Sequence, residues 1–249
     1  MNNSRERATE LYNRGFAAFR AGDNKRAMKL IRQSLEIGRE LGDQEVVGQA
    51  LIGLCRTALR AEDPIQLRRY TRDLDQIAEQ TGQDSLRLAS LHMRAEMARI
   101  EEDFDLAGEL YDESMQLSEE LGRERMVATE CFNKSFVLLA QDQLSEAREL
   151  LKRHFEIHFG LDEGSTPPYG LIGVANLLRK EGDPEGAAEA TFACRRFFRE
   201  SDTVPDPADE KPLSEVEAYC RVSLPSEKLE EIEAKADEST YRELVDKLL

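Results

Sequence analysis

Apolar and small residues recur in this chain at intervals of forty positions. One column of such residues contains Ala27, Leu67, Ala107, Ala147 and Ala187. A second column follows it three residues later, at Leu30, Tyr70, Leu110, Leu150 and Ala190. A fixed period of this length is typical of stacked units that cannot bury their apolar faces alone. The period therefore predicts a solenoid built from five copies of one supersecondary unit.

Each unit is predicted to be a pair of antiparallel helices, because its apolar residues recur at a spacing near 3.6. The first helices of the pairs are predicted at 4–21, 44–61, 84–102, 124–141 and 167–181. Asp23, Asp63 and Asp183 follow the breaks and are predicted to cap the second helices. Glycines at 42, 82 and 122 are predicted to end three of those helices in a left-handed conformation.

The regular pattern changes twice toward the end of the chain. Residues 162–168 form an irregular junction in which Thr166 is predicted to cap a helix that opens with proline. Residues 201–212 hold three prolines and four acids, which is typical of an extended linker. Short helices are predicted to begin near Leu213, Ser226 and Ser239, the first with a Ser214–Glu217 capping box. The expected organisation is a helical array over 4–200, a linker over 201–212 and capping helices over 213–249.

Composition excludes several classes of partner. The chain has 50 acidic and 34 basic residues, a formal net charge of −16, and no dense run of Lys or Arg. Binding to nucleic acid or to anionic membranes requires a basic face, so neither is expected. No apolar stretch approaches the length of a membrane span, and the first residues have no apolar segment of the kind found in leaders. With four scattered cysteines as well, the expectation is a reduced, cytoplasmic protein.

The order of residues within a unit resembles the tetratricopeptide repeat. In the first unit the matching positions are Leu11, Gly15, Ala18, Gly22, Ala27, Ile31 and Leu35. The likeness extends over about residues 4–200, with units of forty residues where the family usually has 34. Units of this length are similar to the helical sensor regions of large ATP-binding bacterial transcriptional regulators, although the chain has no GxxxxGK[ST] phosphate loop. The resemblance implies an all-α, right-handed superhelical solenoid with a concave groove.

The resemblance also implies which side chains line that groove. In tetratricopeptide folds the inner surface is formed by fixed positions of each first helix. The positions that would contact a ligand are Tyr12, Asn13, Phe16, Arg56, His92, Arg99, Phe132, Asn133, Phe136, Asn176 and Arg179. Aromatic rings beside arginines and amides suit an extended or helical peptide that carries apolar anchors and a carboxylate. The alternative is that Phe16 or Phe132 packs between neighbouring units and contacts no ligand.

The sequence gives weaker signals for a carboxylate clamp, a metal site and catalysis. The carboxylate clamp of chaperone-binding tetratricopeptide proteins needs matched lysines, which do not accompany Asn13 and Asn133. His154 and His158 have the spacing of a metal-binding pair, but no third ligand is evident, and packing inside the helix pair is the preferred interpretation. No nucleophile elbow is present either. The sequence therefore predicts no enzyme, no cofactor and no metal.

These observations lead to one functional hypothesis and two alternatives. The hypothesis is a non-catalytic protein- or peptide-binding module that acts as an adaptor or scaffold through its groove. The first alternative is a ligand- or peptide-responsive regulatory sensor without its own DNA-binding or NTPase domain. The second is self-association as a homodimer, in which the groove holds the linker or tail of another copy.

Overall fold

The chain was analysed as a computed structural model, which describes residues 2–161 and 168–249. Thirteen α-helices and no strand occur in these residues, so the all-α prediction is confirmed. The chain divides into two compact units, unit 1 (Met1–Asp103) and unit 2 (Phe104–Leu249). The boundary falls inside the predicted array, at the turn between the two helices of its third repeat. The predicted cap at Thr166 and the first residue of the helix predicted at 167–181 lie outside the described residues.

Unit 1 is a stack of helices in which each helix packs on the next one along the chain. Its helices are α1 (Asn2–Arg20), α2 (Asn24–Leu41), α3 (Gln44–Arg60), α4 (Pro64–Thr81) and α5 (Asp84–Ile100). The first helices of successive pairs also contact each other, α1 with α3 and α3 with α5. This is the solenoid-like packing that the forty-residue period predicts.

Unit 2 continues the same pattern over its first five helices. They are α6 (Phe104–Glu120), α7 (Glu124–Ala140), α8 (Leu144–Leu161), α9 (Tyr169–Glu181) and α10 (Pro184–Glu200). Three further helices follow, α11 (Pro207–Ser223), α12 (Ser226–Glu238) and α13 (Tyr241–Leu248). No helix in the described parts of the chain has both the length and the apolarity needed to cross a membrane.

The forty-residue register is visible in the helix boundaries. The second helices of the five pairs start at Asn24, Pro64, Phe104, Leu144 and Pro184, each forty residues after the one before. The column that begins with Ala27 lies one turn into these helices, and all five of its side chains are buried. Small side chains at this position allow the paired helices to approach closely, because packing distance depends on the side chains at the contact.

A left-handed residue ends nearly every helix of the array. Positive φ angles occur at Gly22, Gly42, Glu62, Gly82, Glu102, Gly122, Asp142, Gly182 and Asp202, which are separated by twenty residues or a multiple of twenty. The three glycines predicted to be left-handed have φ values of 65°, 60° and 62°. A left-handed residue at this place lets the chain reverse and satisfies the last carbonyl groups of the helix. The helix length of the array is therefore set by these turns.

Aspartates start several of the helices, as predicted. The carboxylates of Asp23, Asp63 and Asp183 each accept a hydrogen bond at 3.0 Å from the backbone N–H three residues later. Asp43 caps α3 in the same way at 3.1 Å, and its second oxygen accepts from Arg5 Nε of α1 at 2.7 Å. Each cap satisfies an N–H group that the helix itself leaves without a partner.

The C-terminal helices differ from the sequence interpretation in where they begin. Residues 207–212, predicted to be linker, form the first turns of α11, because Pro207 occupies a first-turn position, where proline's missing N–H costs nothing. Ser214 consequently lies inside α11 and forms no capping box; its hydroxyl donates to Glu210 Oε1 at 2.8 Å. The capping box of this region belongs to Thr240 and Glu243, at the start of α13.

Helices α11, α12 and α13 all pack on α10, and α11 also packs on α9. Their apolar contacts come from Leu213, Val216, Leu244 and Val245, which are buried. Charged contacts surround this apolar centre. Arg195 of α10 donates to both oxygens of Glu210 at 2.6 Å. Arg196, the next residue of α10, donates to the backbone oxygens of residues 237 and 239. Carbonyl groups at the end of a helix such as α12 attract a cation.

The turns generate a prediction about stability. Glu62 and Glu102 adopt φ angles of 50° and 61° although they are not glycine, and such a residue costs about 1 kcal/mol. We expect Glu62→Gly and Glu102→Gly each to raise the free energy of unfolding by about 0.5–1 kcal/mol in urea titrations.

The matched control is Gly42→Ala. No atom lies within 4 Å of where its Cβ would be placed, so its effect reports conformation and not a clash. We expect Gly42→Ala to lower the free energy of unfolding by about 1 kcal/mol. If the substitutions to glycine and Gly42→Ala changed the free energy of unfolding in the same direction, the proposed role of the left-handed turns would be contradicted.

Candidate binding surface

The predicted groove residues fall into both units, and each set is described within its own unit. Unit 1 contains those on α1, α3 and α5: Tyr12, Asn13, Phe16, Arg56, His92 and Arg99. Unit 2 contains those on α7 and α9: Phe132, Asn133, Phe136, Asn176 and Arg179.

Three aromatic rings form a ladder along α1. The rings of Tyr12 and Phe16 have centroids 6.2 Å apart with an angle of 7° between their planes. Phe16 and Phe19 follow at 5.9 Å and 21°. The rings are spaced four and three residues apart, which places them on one face of the helix. All three side chains remain partly exposed, so this face is apolar surface that the unit does not cover.

Helix α3 supplies the floor and two cations of the same surface. A Cβ added to Gly53 would lie 3.0 Å from Tyr12 Cε2, so the glycine lets the tyrosine ring approach α3. Burial of the Tyr12 ring raises the pKa of its hydroxyl, and the neighbouring Arg56 opposes this shift. At the other end of the ladder, the guanidinium carbon of Arg60 lies 4.2 Å from the centroid of the Phe19 ring. Arg60 Nη1 also donates to Phe19 O at 2.7 Å, which fixes the guanidinium there.

We call this set the aromatic–arginine surface; its members are Tyr12, Phe16, Phe19, Arg56 and Arg60. Three of the five were predicted to contact a ligand. Phe19 was predicted to line the groove but not to contact the ligand, and Arg60 was not predicted. Both could have been found from helical spacing, because Phe19 follows Phe16 by three residues and Arg60 follows Arg56 by four. Asn13 lies on the exposed side of α1 beside the ladder.

Of the two predicted residues on α5, Arg99 is already paired with a carboxylate of the same helix. Arg99 Nη2 forms an ion pair with Glu96 Oε2 at 2.7 Å, and the Glu96 side chain is buried. A buried carboxylate needs such a partner, because an unpaired charge in the interior is costly. The charge of Arg99 is therefore balanced within its own helix. His92 is partly exposed on the same helix.

In unit 2 the predicted residues are mostly packed inside. Phe132 is 6 % exposed, and its ring contacts Phe136 in a T-shaped arrangement at 5.1 Å and His154 at 5.7 Å. The amide of Asn176 is 5 % exposed and donates to Ile172 O at 2.9 Å.

Asn133 is likewise buried. For Asn133, Phe132 and Asn176, ligand contact stays a prediction. Phe136 and Arg179 are the partly exposed members of this set.

His154 and His158 lie together in the interior of unit 2, where packing was the preferred interpretation. Their ring centroids are 4.6 Å apart, and His154 Nδ1 lies 2.8 Å from Ala128 O, to which it donates when that nitrogen carries the proton. Within residues 2–161 and 168–249, no group of three or more His, Cys, Asp or Glu side chains is placed to hold a metal ion. Burial lowers the pKa of His154 to about 3, and the charge of His158 contributes in the same direction.

The cysteines are all buried and all in the thiol form. Burial raises the pKa of Cys55 to about 12 and those of Cys131 and Cys220 to about 11, and it raises that of Cys194 further. A thiol is a poor nucleophile and a poor metal ligand unless it is deprotonated. These side chains therefore act as small apolar groups in the helix contacts.

Comparison with known proteins adds information about the fold. No protein-family model matches the sequence, and no curated protein matches it. Among solved structures, the chain is similar to the crystal structure of BtubC (BKLC) from P. vanneervenii, with 18 % sequence identity and a TM-score of 0.59. The match covers 83 % of this chain and 91 % of that chain. At this identity the likeness concerns the helical, repeat-like fold alone.

The buried histidine generates a prediction about pH. The folded-state pKa of His154 lies far below its value of about 6.5 in an unfolded chain. Between these two values the unfolded chain binds a proton that the folded chain does not, so stability is complete above pH ~6.5 and falls as the pH is lowered. His154→Asn keeps a donor near Ala128 O and removes the titration.

We expect the difference in unfolding free energy between wild type and His154→Asn to shrink by about 2 kcal/mol from pH ~7.5 to pH ~5. Urea titrations of both proteins at each pH measure this difference. A constant difference would show that folding does not change the pKa of His154.

Proposed function

We propose that the chain is a non-catalytic peptide-binding module of the tetratricopeptide type, which acts as an adaptor or scaffold. The observation that carries the proposal is the aromatic–arginine surface, a ladder of parallel rings that stays partly exposed beside two arginines. Support for the repeat type comes from the forty-residue register of paired helices and from the residue pattern that resembles the family. Concave surfaces of such repeats generally bind other chains.

Apolar contact is the first part of the proposed recognition. Covering the exposed parts of Tyr12, Phe16 and Phe19 would remove apolar area from water, at about 25 cal/mol for each Å². Aromatic side chains with arginines beside them are the residues that most often dominate binding energy at protein interfaces. The ring spacing of about 6 Å is close to one helical turn and also to two residues of an extended strand. A ligand in either conformation can place successive apolar side chains along the ladder.

Charge is the second part. Arg56 is exposed and makes no ion pair with any residue that the structure describes, whereas Arg60 is held against Phe19. An unpaired guanidinium beside apolar surface favours a ligand carboxylate, because a charge-assisted contact there is partly shielded from water. The ligand class is therefore a peptide with apolar anchors and at least one acidic group.

The protonated thiols and the packed histidines support a non-catalytic role. A nucleophile or general base needs an accessible group whose pKa suits the reaction. Cys55, Cys131 and His154 are buried, with pKa values displaced so that each group stays neutral near pH 7.

Selection of random short peptides against the full chain tests the proposal. We expect selected peptides to combine aromatic or aliphatic residues with an acidic residue. Phe16→Ala is expected to weaken their binding at least about tenfold, as for a central interface residue. The matched control is Ile65→Ala, which removes an apolar side chain that is 78 % exposed on α4 of the same unit. Equal loss in both variants, or no loss in Phe16→Ala, would contradict binding at this surface.

A double-mutant cycle tests the role of the arginine. Arg56→Glu is expected to weaken binding of a selected peptide about tenfold or more, because a like charge replaces an opposite one. Replacing the peptide's acidic residue with its amide is expected to abolish this effect. Circular dichroism of each variant checks that the helices remain. If Arg56→Glu acts equally on both peptides, the arginine does not bind the carboxylate.

A further inference from the structure

Helices α2 and α6 carry opposite charges at equivalent positions of the repeat. The two helices start eighty residues apart, at Asn24 and Phe104, and therefore share one register. Four basic residues of α2 are matched by acidic residues of α6 in this register: Lys25 by Asp105, Lys29 by Glu109, Arg32 by Asp112 and Arg39 by Glu119. The two helices thus carry opposite charges at four equivalent positions.

Helix α6 is acidic along its whole outward face. It contains no Lys or Arg and six acids, and all six are exposed: Asp105, Glu109, Asp112, Glu113, Glu119 and Glu120. Their spacing of three, four and seven residues places them on one side of the helix. Leu106 lies beside them and is 42 % exposed. This face therefore combines negative charge with one apolar side chain.

Helix α2 borders a cavity of about 540 Å³ on the surface of unit 1. Its lining includes Lys25, Lys29 and Arg32 together with the apolar side chain of Met28. Arg32 is held in place, since its Nε donates to the hydroxyl of Tyr70 at 2.6 Å. The two lysines are exposed and form no ion pair with any described residue. Glu36 is the one acid in the lining, so the cavity offers three cations and one carboxylate around an apolar floor.

The charge balance of the chain identifies what complements this cavity. Unit 1 contains 17 basic and 17 acidic residues, whereas unit 2 contains 17 basic and 33 acidic residues. The entire net charge of −16 therefore belongs to unit 2. A face that matches the cavity of α2 in charge and carries an apolar residue is present in the chain itself, on α6.

We propose that the cavity beside α2 is a self-association surface that receives α6 of a second copy of this chain. Asp112 and Glu119 of α6 are already paired with Lys134 and Arg153. Lys25 and Lys29 of one copy therefore pair with Asp105 and Glu109 of α6 in the other, and Leu106 of the second copy contacts Met28 of the first. The contact joins two different faces, and every copy carries both of them. Association therefore increases with concentration.

Salt acts on this contact in two directions. Two copies with a net charge of −16 each repel one another at long range. At physiological ionic strength a Debye length of about 8 Å screens that repulsion, while adjacent charges still attract. Concentrated salt screens the adjacent charges as well. Association is strongest at intermediate salt and is lost at about 1 M.

Sedimentation velocity and light scattering of the full chain test the proposal. At about 0.15 M salt, the mean mass of the wild type is expected to rise with concentration above 28.3 kDa. Lys25→Glu with Lys29→Glu gives α2 the charge of α6 at two matched positions, and Asp105→Lys with Glu109→Lys gives α6 the charge of α2 at the same two positions. Each double variant alone is expected to stay monomeric.

Mixing the two double variants gives the decisive result. The unchanged basic α2 of one fits the unchanged acidic α6 of the other, and the two exchanged faces also attract, because α2 is now acidic and α6 carries lysines at the contact. An equimolar mixture is expected to regain the concentration-dependent association of the wild type. Contacts elsewhere on the chain do not predict that two variants, each monomeric alone, associate when mixed.

Two control pairs carry the same changes in net charge at other exposed sites. Arg7→Glu with Arg20→Glu lies on α1, and Glu227→Lys with Glu230→Lys lies on α12. Both controls are expected to associate as the wild type does. The proposal is overturned if the wild type is monomeric at every concentration. It is overturned even if a foreign acidic peptide binds α2 of that monomer. It is also overturned if the mixed variants stay monomeric while circular dichroism shows that they are folded.

Discussion

A left-handed residue at nearly every described turn of the helical array is the constraint on which the rest of this structure depends. These residues occur at twenty-residue intervals or their multiples, and they hold most helices of the array to 17 or 18 residues. In proteins, most of the stability of a helix comes from packing of its apolar face and not from its intrinsic propensity. The helices of the array therefore depend on packing on neighbours, which the columns of small buried residues such as Ala27 and Ala107 permit. The turns thus set the helix length, and the small residues set the packing distance.

The same repeat position has a different environment in each unit. Phe16 and Phe136 occupy one column of the repeat, and Tyr12 and Phe132 occupy another. Phe132 is buried because Phe136, His154 and Tyr169 surround its ring. Around Tyr12 the described neighbours are other α1 rings and Gly53, which leave one side of the ladder exposed. Function in a repeat protein depends on such departures from equivalence, because identical units would expose identical surfaces.

Charge varies between equivalent positions as well. An outward helix position has few packing constraints, so Lys25 and Asp105 are equally compatible with the fold. Buried charges are different, since each must have a partner. Glu96 is paired with Arg99, and Glu189 of α10 accepts from Lys247 of α13 at 2.6 Å. The pair between Glu189 and Lys247 joins α10 to α13, whereas outward charges such as Lys25 and Lys29 form no ion pair with any described residue.

The sequence alone determined the all-α class, the paired helices and most of their boundaries. The predicted helix at 44–61 is Gln44–Arg60 in the structure, and the one at 84–102 is Asp84–Ile100. These features are local: apolar spacing, Asp caps and glycine turns act within a few residues, so they can be recognised in one chain. The linker expected at 201–212 was partly wrong because proline and acidic residues also suit the first turn of a helix. Only tertiary structure decided which aromatic residues are exposed, which arginines are already paired and which helices border a cavity. Those properties depend on neighbours distant in sequence, and a column of equivalent positions does not distinguish Tyr12 from Phe132.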